Sequence, residues 1–212
     1  MIQIIERGIK VNHKVNSVQS LYDDAKDLYT RCVEGKADTL INGLSYAVTT
    51  LKNTWEGIDA GVQIQNVIDV HNGLVVLRNS LSALAKDASV VASRYREIQN
   101  ANRANLETIV PVTVKEDIAL IEPYNDTRDS INIRPEANNA KATLDRVTSM
   151  YEDFHNSVNE AYNKIMNNWQ EGPGRENSAK AFSDFMASSN KYKETLQEVS
   201  QSIANALKNY AM

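Results

Sequence analysis

Cysteine is nearly absent from this chain. The single residue of that type, Cys32, excludes an internal disulfide and a cysteine-based metal cluster. It falls on an apolar helical stripe, which predicts a buried structural thiol rather than a nucleophile. No apolar run approaches the roughly 18 to 20 residues that span a bilayer, so no stable membrane insertion is expected. The stretch Met1-Ile2-Gln3-Ile4-Ile5-Glu6-Arg7 lacks a long apolar core and a small-residue cleavage site, so the expectation is a cytosolic chain or one exported without a cleavable signal. Long Lys/Arg runs are missing too. A net charge of -4 over 212 residues argues against a nucleic-acid binder, which usually shows a basic face. No nucleophilic triad, phosphate loop or zinc spacing is visible, and Gly172-Pro173-Gly174 is too short and isolated to cradle a phosphate. The expectation is therefore a protein with no catalytic residues, no cofactor and no metal.

What is present is a repeat. The only two tryptophans open similar turn signals, Trp55-Glu56-Gly57 and Trp169-Gln170-Glu171-Gly172. Gly57 precedes Tyr95 by 38 positions, and Gly172 precedes Tyr210 by the same distance. Between these landmarks a shift of 115 takes Ile64, Val67, Val70, Leu74, Leu77, Leu81, Leu84, Ala88 and Val91 onto Ala179, Phe182, Phe185, Ser189, Tyr192, Leu196, Val199, Ile203 and Ala206. Ser189 alone breaks the apolar match. Before the turns a shift of 114 takes Leu44, Ala47, Val48 and Leu51 onto Val158, Ala161, Tyr162 and Ile165. The one-residue difference is the extra residue between Trp169 and Gly172. Such self-similarity divides the chain into two related halves.

Forty-two per cent apolar residues suffice for a core, and their spacing predicts four long helices. The first runs from about Val15 to Asn53 on the stripe Leu21, Ala25, Leu28, Cys32, Ala37, Leu40, Leu44, Ala47 and Leu51. Glu34-Gly35-Lys36 interrupts it and predicts a bend there, because an interior Gly costs about 1 kcal/mol relative to Ala. The second runs from about Ile58 to Leu106, with heptad spacing from Leu74 to Ile98. Pro135 opens the third, since its fixed φ and missing N–H suit a first turn. The fourth follows Gly172-Pro173-Gly174 and extends almost to Met212. The Trp-x-Gly elements thus lie at the bends of two helical hairpins. Gly permits the backbone of a tight turn. Trp brings a large apolar plate with one N–H donor, either covering the hairpin end or projecting toward another helix. Gly43 and Gly73, on either side of the first bend, are candidate sites of close helix approach.

Residues 107–134 differ in character. Ile109 to Val114 reads as extended, Asp117 to Glu122 as a helical turn, and Pro123-Tyr124-Asn125-Asp126 as a turn. A connection of this length reaches at most about 90 to 100 Å when extended, while a hairpin helix is about 50 to 60 Å long. It is long enough to run back along a whole hairpin, which an antiparallel arrangement requires. The fold class expected is all-α: two helix-turn-helix hairpins, 1–106 and 135–212, packed antiparallel as an intramolecular four-helix bundle. Tyr95 is then expected near Trp169, and Tyr210 near Trp55.

Two amphipathic helices joined by Trp-x-Gly resemble the WXG-motif (Esx-like) proteins of bacterial type VII secretion, and this chain looks like two such units fused. The resemblance covers roughly residues 15–106 and 136–212. It implies a non-catalytic protein, either a secreted tandem substrate or an export partner or chaperone for another substrate. Implied partners are the type VII secretion ATPase or a co-exported protein. The chain is implied to be cytoplasmic before export and then secreted or at the cell surface. It is implied to be a pseudo-dimer in itself, monomeric or weakly self-associating. Trp55, Glu56, Gly57, Trp169 and Gly172 would shape the recognised ends, with Tyr95 and Tyr210 beside them. The family's export signal, Tyr-x-x-x-Asp/Glu, is not matched: Gln99 stands four positions after Tyr95, and only Ala211 and Met212 follow Tyr210. That departure favours an adaptor role over a lone effector. Two other classes compete. Amphipathic helices also occur in membrane-active toxins and in general interaction modules, although the faces here lack a basic bias. Glu152-Asp153-Phe154-His155 contains one Glu-x-x-His element. A di-metal bundle enzyme needs two, plus carboxylates from the other helices, and neither His13 nor His71 has a Glu three residues before it.

Overall fold

A computed structural model of the chain describes residues 2–6, 9–102 and 105–210. Met1 and Arg7 of the N-terminal stretch lie outside them, as do Ala211 and Met212. The protein is all-α and 77% helical, with four helices packed against each other and only short strands. Strands β1 (Ile2–Glu6) and β2 (Ile9–Val15) come first. The first long helix is built of α1 (Val18–Asp27), a π-helical stretch (Leu28–Ala37) and α2 (Asp38–Thr54). Then follow β3 (Trp55–Glu56), α3 (Ile58–Ala101), β4 (Asn132–Ile133), α4 (Ala137–Asn168), β5 (Trp169–Glu171) and α5 (Pro173–Tyr210). No described helix is long and apolar enough to cross a membrane.

The first helix shows how spacing dictates geometry. Ser17 caps α1, its Oγ accepting from the Ser20 N–H at 3.2 Å. Every residue of the expected stripe from Leu21 to Leu51 is buried. Yet Cys32 to Ala37 is a step of five, one more than the three-or-four rhythm that holds an α-helical face. The π-helical stretch absorbs it, because its N–H groups reach back five residues instead of four. The expected bend at Glu34-Gly35-Lys36 is thus a local widening of a continuous helix. A Cβ on Gly35 would lie 3.1 Å from the Thr30 carbonyl oxygen, five residues back.

The contacts divide into two compact units, each drawing on all four long helices. One comprises Met1–Lys36, Leu77–Asp117 and Asn156–Asp184; the other comprises Ala37–Val76, Ile118–His155 and Phe185–Met212. In the first, Leu77, Leu81, Leu84 and Ala88 are buried with Leu21, Leu28 and Val158. Tyr162 stacks on Phe182, with ring centroids 3.7 Å apart. Cys32 is fully buried, its Sγ–H directed at the Ser157 carbonyl at 3.4 Å, and burial pushes its pKa up to about 11. In the second unit, Phe154 and Phe185 meet edge to face at 5.6 Å beside Tyr151. Ser189, the polar break in the repeat, is buried there and pairs with His155 Nδ1 at 2.7 Å. Gly43 and Gly73 both mark close approach. A Cβ at 43 would lie 2.8 Å from Val147 Cγ2, and one at 73 would collide with the Tyr192 ring.

The segment 107–128 has no regular secondary structure, so the helical turn expected over Asp117 to Glu122 is not formed. Side chains of α3 take its backbone polar groups instead, which an unpaired extended chain must place somewhere. In the first unit, Arg96 donates to Glu107 O, Ser93 to Ile109 O and Arg78 to Glu116 O, while Ser89 accepts from the Val112 N–H. In the second, the Asn72 amide pairs with both backbone groups of Ile121, at 2.9 and 2.8 Å, and Gln65 accepts from Tyr124 N–H. Asn72 supplies the bonds that a helical turn would have made at Ile121. Arg78, Ser89, Ser93 and Arg96, all buried on α3, each bond to this strap.

Candidate functional site: the two Trp-x-Gly bends

At the first bend, Trp55 ends α2, its N–H donating to Leu51 O, and the chain turns extended. Trp55 pairs with Ile133 and Glu56 with Asn132, antiparallel. Gly57 has φ of +118°, and a Cβ there would stand 2.7 Å from the Ser130 carbonyl oxygen. Both facts require glycine. The Gly57 N–H donates to Asp126 Oδ2 at 3.0 Å. Asp126 is buried and gripped by Arg128, whose Nη2 donates at 2.6 Å and whose Nε donates at 2.9 Å. The Arg128 hydrogen bonds, then the Gly57 N–H, hold the Asp126 carboxyl well below the usual carboxylate range. Arg128 also reaches Glu56 at 2.8 Å. Glu56 therefore serves to complete an Asp126–Arg128 clamp on its own bend.

The second bend has the same backbone construction with one residue more. Trp169 pairs with Val15 and Glu171 with Lys14, which leaves Gln170 unopposed as a β-bulge. The bulge is where the extra residue of Trp-x-x-Gly goes. Asn16 fastens the junction, its N–H donating to Asn168 O at 2.9 Å and its Nδ2 to Asn167 O at 2.7 Å. Gly172 has φ of +150°, and Gly174 lies against the indole, where a Cβ would meet Trp169 Cη2 at 2.9 Å.

Both indoles are buried, Trp55 at 3% and Trp169 at 1% exposure, so each ring belongs to the core beside its bend. Their N–H groups differ. Trp169 Nε1 donates to Glu171 O at 2.7 Å, a carbonyl that the longer bend supplies two residues on. The corresponding carbonyl after Trp55 is Gly57 O, which already accepts from the Gly61 N–H at 2.9 Å. Among the described residues Trp55 Nε1 has no partner.

The tyrosines part company as well. Tyr210 is half-exposed and shares with Trp55 a cavity of about 220 Å³, whose wall includes Asp59, Gln63, Ile131 and Asn205. Tyr95 is buried, which raises its pKa, and lies with Val15 on the wall of a larger cavity of about 610 Å³. Glu152 and His155 face different neighbours, Lys193 at 3.2 Å and Ser189 respectively. His71 is buried between Ser45 and Asn72, and burial lowers its pKa. Among the described residues no three His, Cys, Asp or Glu side chains converge as metal ligands. The residues that sequence reading missed are Val15, Ile133, Asp126 and Arg128. Only the turn-like Pro123-Tyr124-Asn125-Asp126 hinted at them.

Comparison with known proteins gives no match: no family model, no curated protein and no solved structure matches this chain.

Proposed function

We propose that the chain is a non-catalytic, tandem WXG-like protein of bacterial type VII secretion, exported itself or serving as export partner or chaperone for another substrate. One observation carries the reading: a single construction occurs twice. At each bend a buried Trp leads into a short extended segment and a positive-φ Gly. At each bend that segment pairs with a strand that leads into the other half of the repeat, β4 at Trp55 and β2 at Trp169. Such pairing supports antiparallel hairpins, each entered at the bend of the other. It also supports a pseudo-dimer within one chain whose two ends are the surfaces offered to partners.

The test is a secretion assay in the native bacterium with and without the type VII ATPase, with pull-down from the cytosolic fraction. ATPase-dependent appearance outside the cell makes the chain a substrate. Retention with a co-purifying protein whose own export falls when this chain is deleted makes it a chaperone. Retention with no partner, and no export defect on deletion, sinks the proposal.

A further inference from the structure

The cavity shared by Trp55 and Tyr210 lies within one compact unit and presents an open anion. Asp59, exposed in the first turn of α3, is the one charged residue on its wall. Among the described residues the Asp59 carboxylate makes no ion pair and no hydrogen bond. Two other carboxylates of this bend, Glu56 and Asp126, are taken by Arg128. Gln63 and Asn209 add two side-chain amides to the wall that no described group uses. Asp59 and Asn209 are exposed and Gln63 is partly so, so a ligand reaches all three without rearrangement. The rest of the wall includes the buried indole of Trp55, Ala206, and the half-exposed side chains of Ile131 and Tyr210. Ile58, the residue before Asp59, is half-exposed too, and Ile131 Cα stands 3.5 Å from where a Cβ on Gly57 would be. Exposed large apolar side chains are ordinarily scattered singly; here three gather at one bend.

We infer that this cavity receives a lysine side chain of a partner protein. Size, shape of the wall and charge select that ligand together. The volume of about 220 Å³ is below the roughly 300 to 1,000 Å³ of sites that enclose a small molecule, and it suits one long side chain. The wall is apolar in one part and anionic in another, which matches an aliphatic stem that ends in a cation. The Tyr210 ring adds attraction for that cation. The ammonium is a compact charge with three donors, matching one carboxylate and two amide carbonyls. A hydrated metal ion gains nothing from the apolar part and needs more oxygen ligands than a single carboxylate brings. An acidic side chain is repelled by Asp59. The cavity beside the second bend is opposite in character, with Lys14 and Arg96 on its wall and no carboxylate. It serves as an internal control. The inference stands on the Trp55 cavity alone and does not depend on export.

The test uses the full chain, labelled with nitrogen-15. Its two tryptophans give two indole N–H resonances, Trp55 at the cavity and Trp169 at the other bend. The probe is acetyl-Ala-Ala-Lys-Ala-Ala-amide. Its norleucine version and sodium chloride at the same ionic strength are titrated in parallel. The lysine peptide is expected to shift the Trp55 resonance saturably and to leave Trp169 in place. The norleucine peptide keeps the stem and lacks the charge, and is expected to bind at least about tenfold more weakly. Asp59→Asn keeps the shape of the wall and removes its charge, so lysine binding should fall to the norleucine level. Should that variant fail to fold, Tyr210→Ala, at the exposed end of α5, is expected to weaken lysine binding at least about threefold. Equal binding of the two peptides, undiminished lysine binding to Asp59→Asn or to Tyr210→Ala, or no response at millimolar peptide each overturns the assignment. So does a Trp169 shift as large as that of Trp55, or a Trp55 shift that sodium chloride alone reproduces.

Discussion

Replacing Gly57 by Ala tests the construction of the bends most directly. Two penalties act together. The backbone is held at φ of +118°, where an L-residue is strained by about 1 to 3 kcal/mol. The new Cβ also sits 2.7 Å from Ser130 O, a backbone atom that cannot turn away as a side chain can. Relief requires the 130–133 segment to withdraw, which weakens the Glu56–Asn132 pair by about 0.5 to 1.5 kcal/mol per hydrogen bond. The sum is about 2 to 4 kcal/mol, which for a chain of this size lowers Tm by about 4 to 16 °C. Thermal unfolding followed by far-UV circular dichroism reads it. Glu56→Ala is the control, since it removes only a partly exposed ion pair worth about 0 to 1 kcal/mol. Should Gly57→Ala melt within about 2 °C of the wild type, glycine is not what holds this bend, and the account of both turns fails.

Two further outcomes follow from titration and burial. The folded-state pKa of Asp126 lies below its ordinary 3.8, so its contribution is present above that value and is lost as pH falls through the folded pKa. Acid unfolding of the Trp55 bend, read by the Trp55 Nε1 resonance, should therefore set in below about pH 4; Asp126→Asn should weaken the bend at neutral pH and flatten that acid dependence, and an unchanged profile refutes the clamp. Cys32, buried and with its pKa pushed up to about 11, should resist a thiol reagent in the native protein at pH 8 and react fully in denaturant; rapid native labelling would show that the helix opens at the π-helical stretch.

The helices were legible because their signal is local. Leu21 to Leu51 and Leu74 to Ile98 repeat at three and four residues, and burial follows that rhythm closely. The bends were legible because a repeat doubles a weak motif. What escaped reading depends on partners far along the chain. Nothing near Gly57 announces Asp126, 69 residues on, and nothing near Trp169 announces Val15. The strap was misread for the opposite reason. Asp117-Ile118-Ala119-Leu120-Ile121-Glu122 has the composition of a helical turn, but Asn72 takes both backbone groups of Ile121. Of the two positions open to the tryptophans, the interior one is taken: both rings are buried, while Tyr210 is half-exposed.

The π-helical stretch bears on how this molecule tolerates changes in length. Elsewhere in a long helix, an added or lost residue rotates everything beyond it by about 100° and turns the buried face outward. Between Cys32 and Ala37 the chain already carries one residue more than an α-helical face needs. Deleting one there converts a step of five into a step of four and leaves Leu40, Leu44, Ala47 and Leu51 facing the core. The first helix thus holds its slack in one place, where a residue can leave the chain without disturbing the register of the bend that follows.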